Sequence, residues 1–233
     1  MTSEGRDGER ARIETVYRGY EAGGLRDLRW SGDLPGNRCI QDERYRQMAD
    51  LLAAAGSPEN VLEVGCGAGG VMSELAVALT SENPGPTIVG VDIVADRLVH
   101  AAGVGNGAAH ADARDLPFAD ESFDVVVTFT VFSSILDAEI RKSVARDVTR
   151  VLRPGGHLLW YDMRVPGPNR SIRAMPRREI RRMFPHMEFR FRSLTVVPPL
   201  ARRLGSFDRR AYPVLAAVPP LRSHLIGLGV KGR

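Results

Sequence analysis

Hydrophobic positions from residue 57 onward form short runs that are separated by helical stretches. Five runs have the length and composition of buried strands: 60–64, 87–92, 108–113, 123–129 and 156–162. Between them, apolar residues recur at helical spacing over 70–79, 95–102 and 138–152. Strands that alternate with helices predict right-handed crossovers and a mostly parallel sheet covered on both faces. The fold class predicted is therefore α/β.

The two ends of the chain are less regular. Before residue 57 the pattern predicts helices over 11–20 and 40–55, a frayed polar start over 1–10 and an irregular stretch over 23–36. After residue 164 it predicts a basic helix over 177–184 and strands over 187–197 and 224–231. The segment 198–222 is apolar, rich in arginine and broken by prolines. The pattern gives seven strands in all.

Length and composition narrow the class of protein. A chain of 233 residues with 43% hydrophobic content can bury the core of one catalytic-size domain. No run reaches the roughly 18 uncharged residues that a membrane-spanning helix needs, and no apolar segment follows the charged start, so we expect a cytoplasmic protein. Two cysteines, Cys39 and Cys66, cannot form a disulfide framework.

A glycine-rich turn over residues 65–70, GCGAGG, follows the first predicted strand and precedes a helix. Glycines let the backbone turn sharply and approach a ligand, while the start of a helix favours negative charge. The glycine spacing also satisfies the dinucleotide fingerprint, and Asp92 lies near the position of a ribose-binding acid. An NAD-binding oxidoreductase is therefore an alternative.

Glu63 favours a different cofactor, because it places an acid at the end of an apolar strand, immediately before the turn. The carboxylate would repel a pyrophosphate, whereas an ammonium or a sulfonium would attract it. S-Adenosylmethionine carries both cations. Its carboxylate can use the amides at the helix start, its ribose can bond Asp92, and Asp112 can accept the adenine amino group.

Five motifs in order give the chain a resemblance to a known family. It resembles the class I S-adenosylmethionine-dependent methyltransferases of the small-molecule type, in the ubiquinone-biosynthesis-like branch. The motifs are VLEVGCGAG at 61–69, VDI at 91–93, DARDLPF at 112–118, FDVVV at 123–127 and VLRPGG at 151–156. Together they cover roughly residues 45–162.

The resemblance implies a Rossmann-like, seven-stranded sheet with an antiparallel last strand in a single domain. Residues 1–56 would be an N-terminal helical lid, 57–163 the cofactor-binding core, and 164–233 cap insertions with the last strands. The implied cofactor is S-adenosyl-L-methionine, with S-adenosyl-L-homocysteine as product. The implied cofactor contacts are Glu63, Gly65, Cys66, Gly67, Gly69, Asp92, Ile93, Asp112, Ala113, Thr128, Phe129 and Thr130, with Tyr17, Arg29 and Trp30 from the lid.

The lid has an alternative interpretation, in which an amphipathic arm simply packs on the sheet. The chain also departs from the family after the fourth strand, where many relatives have a His-His pair and this sequence has Phe132-Ser133-Ser134. No catalytic histidine can be assigned there, and the serines are equally suited to a loop or a helix cap.

Methyl transfer needs alignment more than acid–base chemistry, because the sulfonium already activates the methyl carbon. Asp162, at the predicted end of strand 5, and His186, beside the basic helix, are the candidate bases. For Asp162 the alternative is a helix cap or a salt bridge to Arg164. The five histidines show no metal-ligand spacing, so no metal site is expected.

Charge is distributed unevenly along the chain. Residues 1–163 carry 16 basic and 25 acidic side chains, whereas residues 164–233 carry 16 and 3. Arg170, Arg173, Arg177 and Arg178 are candidates to bind an anionic acceptor at the ligand edge of the sheet. A solvated basic face is the alternative, and a GC-rich genome would produce the same preference for arginine.

The function predicted is O-methylation of a small specialised metabolite, such as a sugar, a polyketide or another hydroxyl or carboxyl acceptor. An RNA-modifying methyltransferase is a second alternative, although the basic region has few interleaved lysines or aromatic residues and no base-flipping motif follows strand 4. A membrane-surface module is a third. We expect a monomer or homodimer with no nucleic-acid partner.

Overall fold

A seven-stranded sheet organises the protein in the computed structural model, which describes residues 3–22, 34–79, 85–167, 169–205 and 210–232. Across the sheet the strands follow the order β3-β2-β1-β4-β5-β7-β6, in which β7 is antiparallel to both neighbours and every other pair is parallel. This arrangement confirms the predicted Rossmann-like fold. The strands are β1 (Asn60–Val64), β2 (Thr87–Asp92), β3 (Ala108–His110), β4 (Phe123–Phe129), β5 (Leu152–Met163), β6 (Met187–Val196) and β7 (Arg222–Lys231).

Helices cover both faces of the sheet, and the alternation of strand side chains gives each face its own core. Leu62 and Trp160 point into one apolar cluster, and Val61 and Leu159 point into the other. The helices are α1 (Ser3–Ala22), α2 (Pro35–Leu52), α3 (Gly70–Ala78), α4 (Ala95–Ala101), α5 (Ala138–Val151), α6 (Arg177–Met183), α7 (Pro198–Gly205) and α8 (Ala211–Ala216), with 3₁₀ turns at Ala53–Ala55, Phe132–Ser134 and Pro219–Leu221.

The N-terminal helix is longer than its sequence predicts. The expected frayed start is wrong, because the backbone is helical from Ser3. Long-range contacts hold this part of the helix: the Glu9 carboxylate accepts the Leu136 N–H at 2.6 Å, and Arg12 donates to the Ser134 and Ser171 carbonyls. Helix α2 likewise starts at Pro35, five residues early, since proline suits the first turn of a helix.

The proline-broken segment between β6 and β7 folds into α7 and α8. Pro198 begins α7, where a missing N–H costs nothing. The two helices pack on α2 and form a small apolar cluster with Cys39, Ile40, Val196, Ala201 and Tyr212. Within the described residues, no helix combines the length and apolar character needed to cross a bilayer.

Two predicted strands have different limits in the structure. The third strand ends at His110 and not at 113, because the Asp112 side chain accepts the Arg114 N–H and turns the chain away from the sheet. The fifth begins at Leu152 and not at 156, with a register shift against β4 between Phe123 and Val125. The carboxyl end of β3 therefore lies three residues earlier than predicted, whereas that of β5 lies within one residue of its predicted place.

Candidate active site

A cavity of about 150 Å³ lies at the carboxyl ends of β1, β2 and β4, beneath helix α1. Ile13 and Tyr17 of α1 face it from above, while Gly65, Asp92 and Thr130 form part of its floor. An adjoining space of about 650 Å³ shares Asp112, Arg114 and Ile140 with it. The N-terminal helix therefore acts as a roof over the predicted cofactor region.

The cavity brings together eight of the fifteen predicted cofactor contacts. It is lined by Tyr17, Gly65, Asp92, Ile93, Asp112, Ala113, Phe129 and Thr130. Five others do not line it: Glu63, Cys66, Gly67, Gly69 and Thr128. Arg29 and Trp30 lie outside the described residues.

The glycine turn has the backbone that its sequence requires. Gly65, Gly67 and Gly69 all have positive φ angles, of 77°, 53° and 83°. Residues other than glycine rarely adopt positive φ angles, so each of these positions favours glycine. At Gly67 a Cβ would also lie 2.6 Å from the guanidinium carbon of Arg97, which covers the turn.

Asp92 holds this turn in place. Its Oδ2 accepts the Gly67 N–H at 2.7 Å, and its Oδ1 accepts the Val94 N–H at 2.8 Å. The side chain is buried, and the Arg97 guanidinium lies 3.9 Å from Oδ2. Because each carboxylate oxygen has two lone pairs, Asp92 keeps acceptor capacity for ligand hydroxyls.

Arg97 connects the glycine turn to the roof. Its guanidinium lies 5.0 Å from the centre of the Tyr17 ring, in a cation–π contact. The Tyr17 hydroxyl in turn shares a hydrogen bond of 2.7 Å with Ser134 Oγ, so both ends of the site contact the same residue of α1. Burial raises the pKa of Tyr17, which keeps the phenol neutral.

The third acid, Asp112, is paired with Arg114. The Arg114 Nε lies 2.9 Å from both carboxylate oxygens. Burial acts to raise the pKa of Asp112, but the hydrogen bonds from Arg114 outweigh it and hold the pKa below its ordinary value. Asp112 is therefore an ionised acceptor at the edge of the cavity.

Glu63 faces away from the cavity, towards α2 and α3. It is 2% exposed, and its Oε2 has no hydrogen-bond partner. Burial raises the pKa of Glu63 well above its ordinary value, and the charge of Arg44 opposes this rise. The Met72 N–H, in the first turn of α3, also favours the ionised form. The acid before the glycine turn thus lies beneath that turn.

The chain after β4 makes a strained turn. Thr130 has a φ of 59°, an unusual value for a β-branched residue, and its N–H donates to the Tyr161 carbonyl. Its own carbonyl accepts from Ser134 Oγ at 2.9 Å. Because Ser134 binds both Thr130 and Tyr17, it connects the roof to the floor of the site. The α5 helix is capped by Asp137 and not by either serine.

Asp162 lies behind this turn, at the end of β5. Its Oδ2 accepts the Ser133 N–H at 2.9 Å and its Oδ1 accepts the Met163 N–H. Arg164, the salt-bridge partner in the alternative interpretation, donates instead to the carbonyls of Arg222 and Pro219. Burial raises the pKa of Asp162 to about 6. In this structure it supports the 3₁₀ turn and does not line the cavity.

We expect the buried charge of Asp162 to make stability depend on pH. A carboxyl group whose pKa rises on folding favours the native state below its unfolded pKa, and this contribution is lost as pH rises through the folded pKa. With values of about 3.8 and about 6, the loss between pH 4 and 7 is about 2 kcal/mol. Urea unfolding over this range should show the loss in the wild type and not in Asp162→Asn. Parallel curves for the two proteins would contradict it.

His186, the other predicted base, is placed far from the site. It is exposed just before β6, and its carbonyl accepts the N–H of Gly232, just beyond β7. Because β6 runs parallel to β5, this is the amino edge of the sheet, opposite the cavity. The geometry therefore contradicts a role for His186 as a base.

The four arginines predicted to bind the acceptor lie in different surroundings. Arg173 lies beside the turn after β4, because its N–H donates to the Ser133 carbonyl and its guanidinium pairs with Glu179 at 2.8 Å. Arg177 covers the ring of Phe191 on β6, and Arg170 and Arg178 are exposed. Of the four, Arg173 contacts the turn after β4, beside the cavity.

Sequence reasoning missed several residues of the site. Arg10, Arg97, Val131 and Ser134 line the cavity without having been predicted as contacts. Arg97 follows Asp92 by five residues, at the start of a helix after a strand, and this position was the available signal. No local pattern identifies Arg10, since it reaches the cavity only through the docking of α1.

Comparisons with known proteins agree with this geometry. A family model described as a methyltransferase domain matches residues 62–160. The ubiquinone/menaquinone biosynthesis C-methyltransferase UbiE of Desulfotalea psychrophila is 30% identical over 182 residues, which are 76% of this chain and 64% of that protein. The fatty-acid O-methyltransferase of Mycolicibacterium smegmatis is 39% identical over 51% of this chain and 43% of its own. The chain thus spans less than two thirds of either relative.

Solved structures share the fold. The N-methyltransferase NodS from Bradyrhizobium japonicum superposes with a TM-score of 0.62 and 17% identity, over 83% of this chain and 97% of that one. The order of the motifs, the seven-stranded sheet and the matched relatives agree with one another. Residues 62–160 therefore form a methyltransferase domain, on a sheet with the fold of the S-adenosylmethionine-dependent methyltransferases.

Proposed function

We propose that the chain transfers a methyl group from S-adenosylmethionine to a small acceptor molecule. The observation that carries the proposal is the joint placement of Asp92 and the glycine turn under the roof formed by α1. Asp92 fixes the turn and retains acceptor capacity, as binding of a ribose requires. The matched relatives, whose names describe methyltransferases, support the same activity.

The residues present fit this cofactor. Asp92 would hold the ribose hydroxyls and Asp112 the adenine amino group. Asp92 and Asp112 both line the cavity and carry this fit, whereas Glu63 lies beneath the glycine turn and does not line it. When bound, the cofactor supplies a methyl group activated by a sulfonium.

This chain's own contribution is alignment and the exclusion of water. The Arg12 and Glu9 contacts hold α1 across the site, and Ile13 and Tyr17 close the cavity from above. Ser134 connects Tyr17 to the turn after β4. Correct positioning of two reactants can supply about 7–11 kcal/mol of barrier reduction. We assign Asp162 to the positioning of this turn, through the Ser133 amide.

We further propose an oxygen acceptor on a specialised metabolite. The name of the fatty-acid O-methyltransferase relative supports oxygen. Arg173 contacts the turn after β4 through its backbone N–H, so we propose Arg173, with Arg170 three residues before it, for an acidic group on the acceptor. The C-methyltransferase relative makes carbon the competing acceptor.

Calorimetry separates the proposed cofactor from its main competitor. We expect S-adenosylhomocysteine to bind the purified protein with a 1:1 stoichiometry and NAD not to bind, because the matched domain and the matched relatives are methyltransferases. Incubation with methyl-labelled cofactor and a panel of hydroxyl and carboxyl metabolites then identifies the acceptor. Binding of NAD without binding of S-adenosylhomocysteine would end the proposal.

A further inference from the structure

One guanidinium of the roof contacts both sides of the candidate active site. Arg12 of α1 donates from Nε and Nη2 to the two carboxylate oxygens of Glu9, at 2.8 and 2.9 Å. Its Nη2 also donates to the Ser134 carbonyl, and its Nη1 donates to the Ser171 carbonyl at 3.4 Å. Ser134 belongs to the turn after β4, and Ser171 belongs to the segment between β5 and α6. Arg12 therefore joins the roof to two loops that lie more than a hundred positions away in the sequence.

Helix α1 uses two neighbouring stripes of side chains, one for the cavity and one for the loops. Ile13 and Tyr17, four positions apart, lie on the first stripe and line the cavity. Glu9 and Arg12, three positions apart, lie on the second stripe, where Glu9 also accepts the Leu136 N–H at 2.6 Å. Burial acts to raise the pKa of Glu9, but the hydrogen bonds from Arg12 and Leu136 outweigh it and hold the pKa below its ordinary value. A ligand in the cavity thus contacts the same helix that holds both loops.

Contacts with the turn after β4 and with the roof hold the segment 169–176, which we call the acceptor segment. Its Arg173 N–H donates to a carbonyl of that turn at 2.9 Å, and its Ser171 carbonyl accepts from Arg12. The two arginines proposed for an acidic group on the acceptor, Arg170 and Arg173, lie on either side of Ser171. Arg12 is therefore placed to hold the acceptor side of the site against the cofactor side.

Polar and partly exposed contacts hold α1 on the rest of the protein. The ion pair Arg18–Asp96 joins two exposed side chains, and such pairs contribute about 0–1 kcal/mol. Ile13 is partly buried at the edge of one apolar cluster. A helix held in this way can separate by local unfolding, at a cost below that of global unfolding. A ligand that contacts Ile13 and Tyr17 favours the docked helix, because it binds that state better.

We propose that Arg12 is a positioning residue that couples the binding of the cofactor under α1 to the ordering of the acceptor segment. This inference rests on the proposed function and adds an order of binding to it. When the cofactor holds α1 in its docked position, Arg12 reaches the Ser171 carbonyl and fixes the arginines on either side of it. When α1 is undocked, the acceptor segment loses this partner. By the reciprocity of linked equilibria, the acceptor then binds the cofactor complex more tightly than the free protein.

Hydrogen exchange with and without saturating S-adenosylhomocysteine tests this coupling. In the wild type the ligand should slow the exchange of amides over 171–175, where Arg173 and Met175 donate to the turn after β4 and to β5. A coupling of the usual size makes this slowing about 5–150-fold. Arg12→Met should abolish the slowing over 171–175 and keep it at the glycine turn, because the stripe that lines the cavity is unchanged. Arg18→Met removes the same charge from an exposed position of α1 and should behave like the wild type.

A second variant separates the role of Arg12 from the docking of α1 as a whole. Ile13→Ala weakens the contact of α1 with the cavity, so it should lower the affinity for S-adenosylhomocysteine. At saturating ligand it should retain the slowing over 171–175, because Arg12 is intact. Loss of the slowing in Ile13→Ala would assign the effect to the helix as a whole and overturn the role of Arg12.

The outcomes also separate this inference from the proposed function. Exchange over 171–175 that does not respond to the ligand in the wild type, or that slows equally in the wild type and Arg12→Met, would overturn the inference. The methyltransferase assignment stands in either case if the ligand still slows exchange at the glycine turn. Failure of S-adenosylhomocysteine to bind the wild type would overturn the proposed function itself.

Discussion

Replacement of Asp92 by alanine should weaken the binding of S-adenosylhomocysteine by at least about 100-fold, because hydrogen bonds to a charged acceptor contribute about 1.5–3 kcal/mol each. The change removes the proposed ribose acceptor and also frees the N–H groups of Gly67 and Val94, which Asp92 binds at 2.7 and 2.8 Å. The glycine turn then loses its anchor on β2. Calorimetry gives the dissociation constant directly.

Two further variants make this result specific. Asp96→Ala removes the same charge four residues later, on an exposed side chain that pairs with Arg18 at 3.3 Å, and should leave affinity unchanged. Asp92→Asn keeps one acceptor oxygen and should fall between the wild type and alanine. An unchanged affinity in Asp92→Ala would show that the ligand does not use the carboxyl end of β2.

Gly36→Ala should destabilise the protein although it adds only one methyl group. A Cβ at this position of α2 would lie 2.6 Å from the carbonyl carbon of Ala201 and 2.7 Å from Cα of Arg202. These are backbone atoms of α7, so no side-chain rotation relieves the clash. Such overpacking costs about 1–3 kcal/mol. Urea unfolding should report the loss, with larger side chains giving larger effects.

The matched control is Gly19→Ala, in α1. A Cβ there would have no neighbour within 4 Å, so the substitution should stabilise the helix by up to about 1 kcal/mol through its higher helix propensity. Since α7 packs away from the cavity, Gly36→Ala should keep its affinity for S-adenosylhomocysteine at temperatures where it is folded. Equal stability changes of the same sign in both variants would contradict the close contact between α2 and α7.

Most of the sheet could be predicted because its strands are buried on both faces and therefore read as continuous apolar runs. The strands β1, β2 and β4 have the predicted limits. The start of α1 could not be predicted, since residues 3–10 are polar and their helix depends on contacts with a loop more than a hundred positions away. The helices α7 and α8 could not be predicted for a related reason, because prolines in a sequence usually indicate that a helix ends.

In the site, too, residues fixed by local sequence could be predicted, whereas residues that depend on distant partners could not. Gly65 and Asp92 could be identified because the turn and the acid follow adjacent strands in a fixed geometry. The roles of Glu63 and Asp162 were harder to predict, since both face packed elements and their partners, Arg44 and Ser133, are distant in sequence. His186 was misplaced because proximity to a basic helix says nothing about which edge of the sheet a residue occupies.

The position of β6 at the edge of the sheet offers a reason for the basic side chains of the C-terminal region that does not involve a ligand. Among the described residues this strand pairs only with β7, so its ten residues form an edge of the sheet. Arg190 and Arg192 lie along it with exposed side chains, as does Glu188. Charged residues on an open strand discourage another molecule from adding its own strand there. The arginines of β6 thereby protect the protein against aggregation, and apolar replacements would promote the growth of intermolecular sheets.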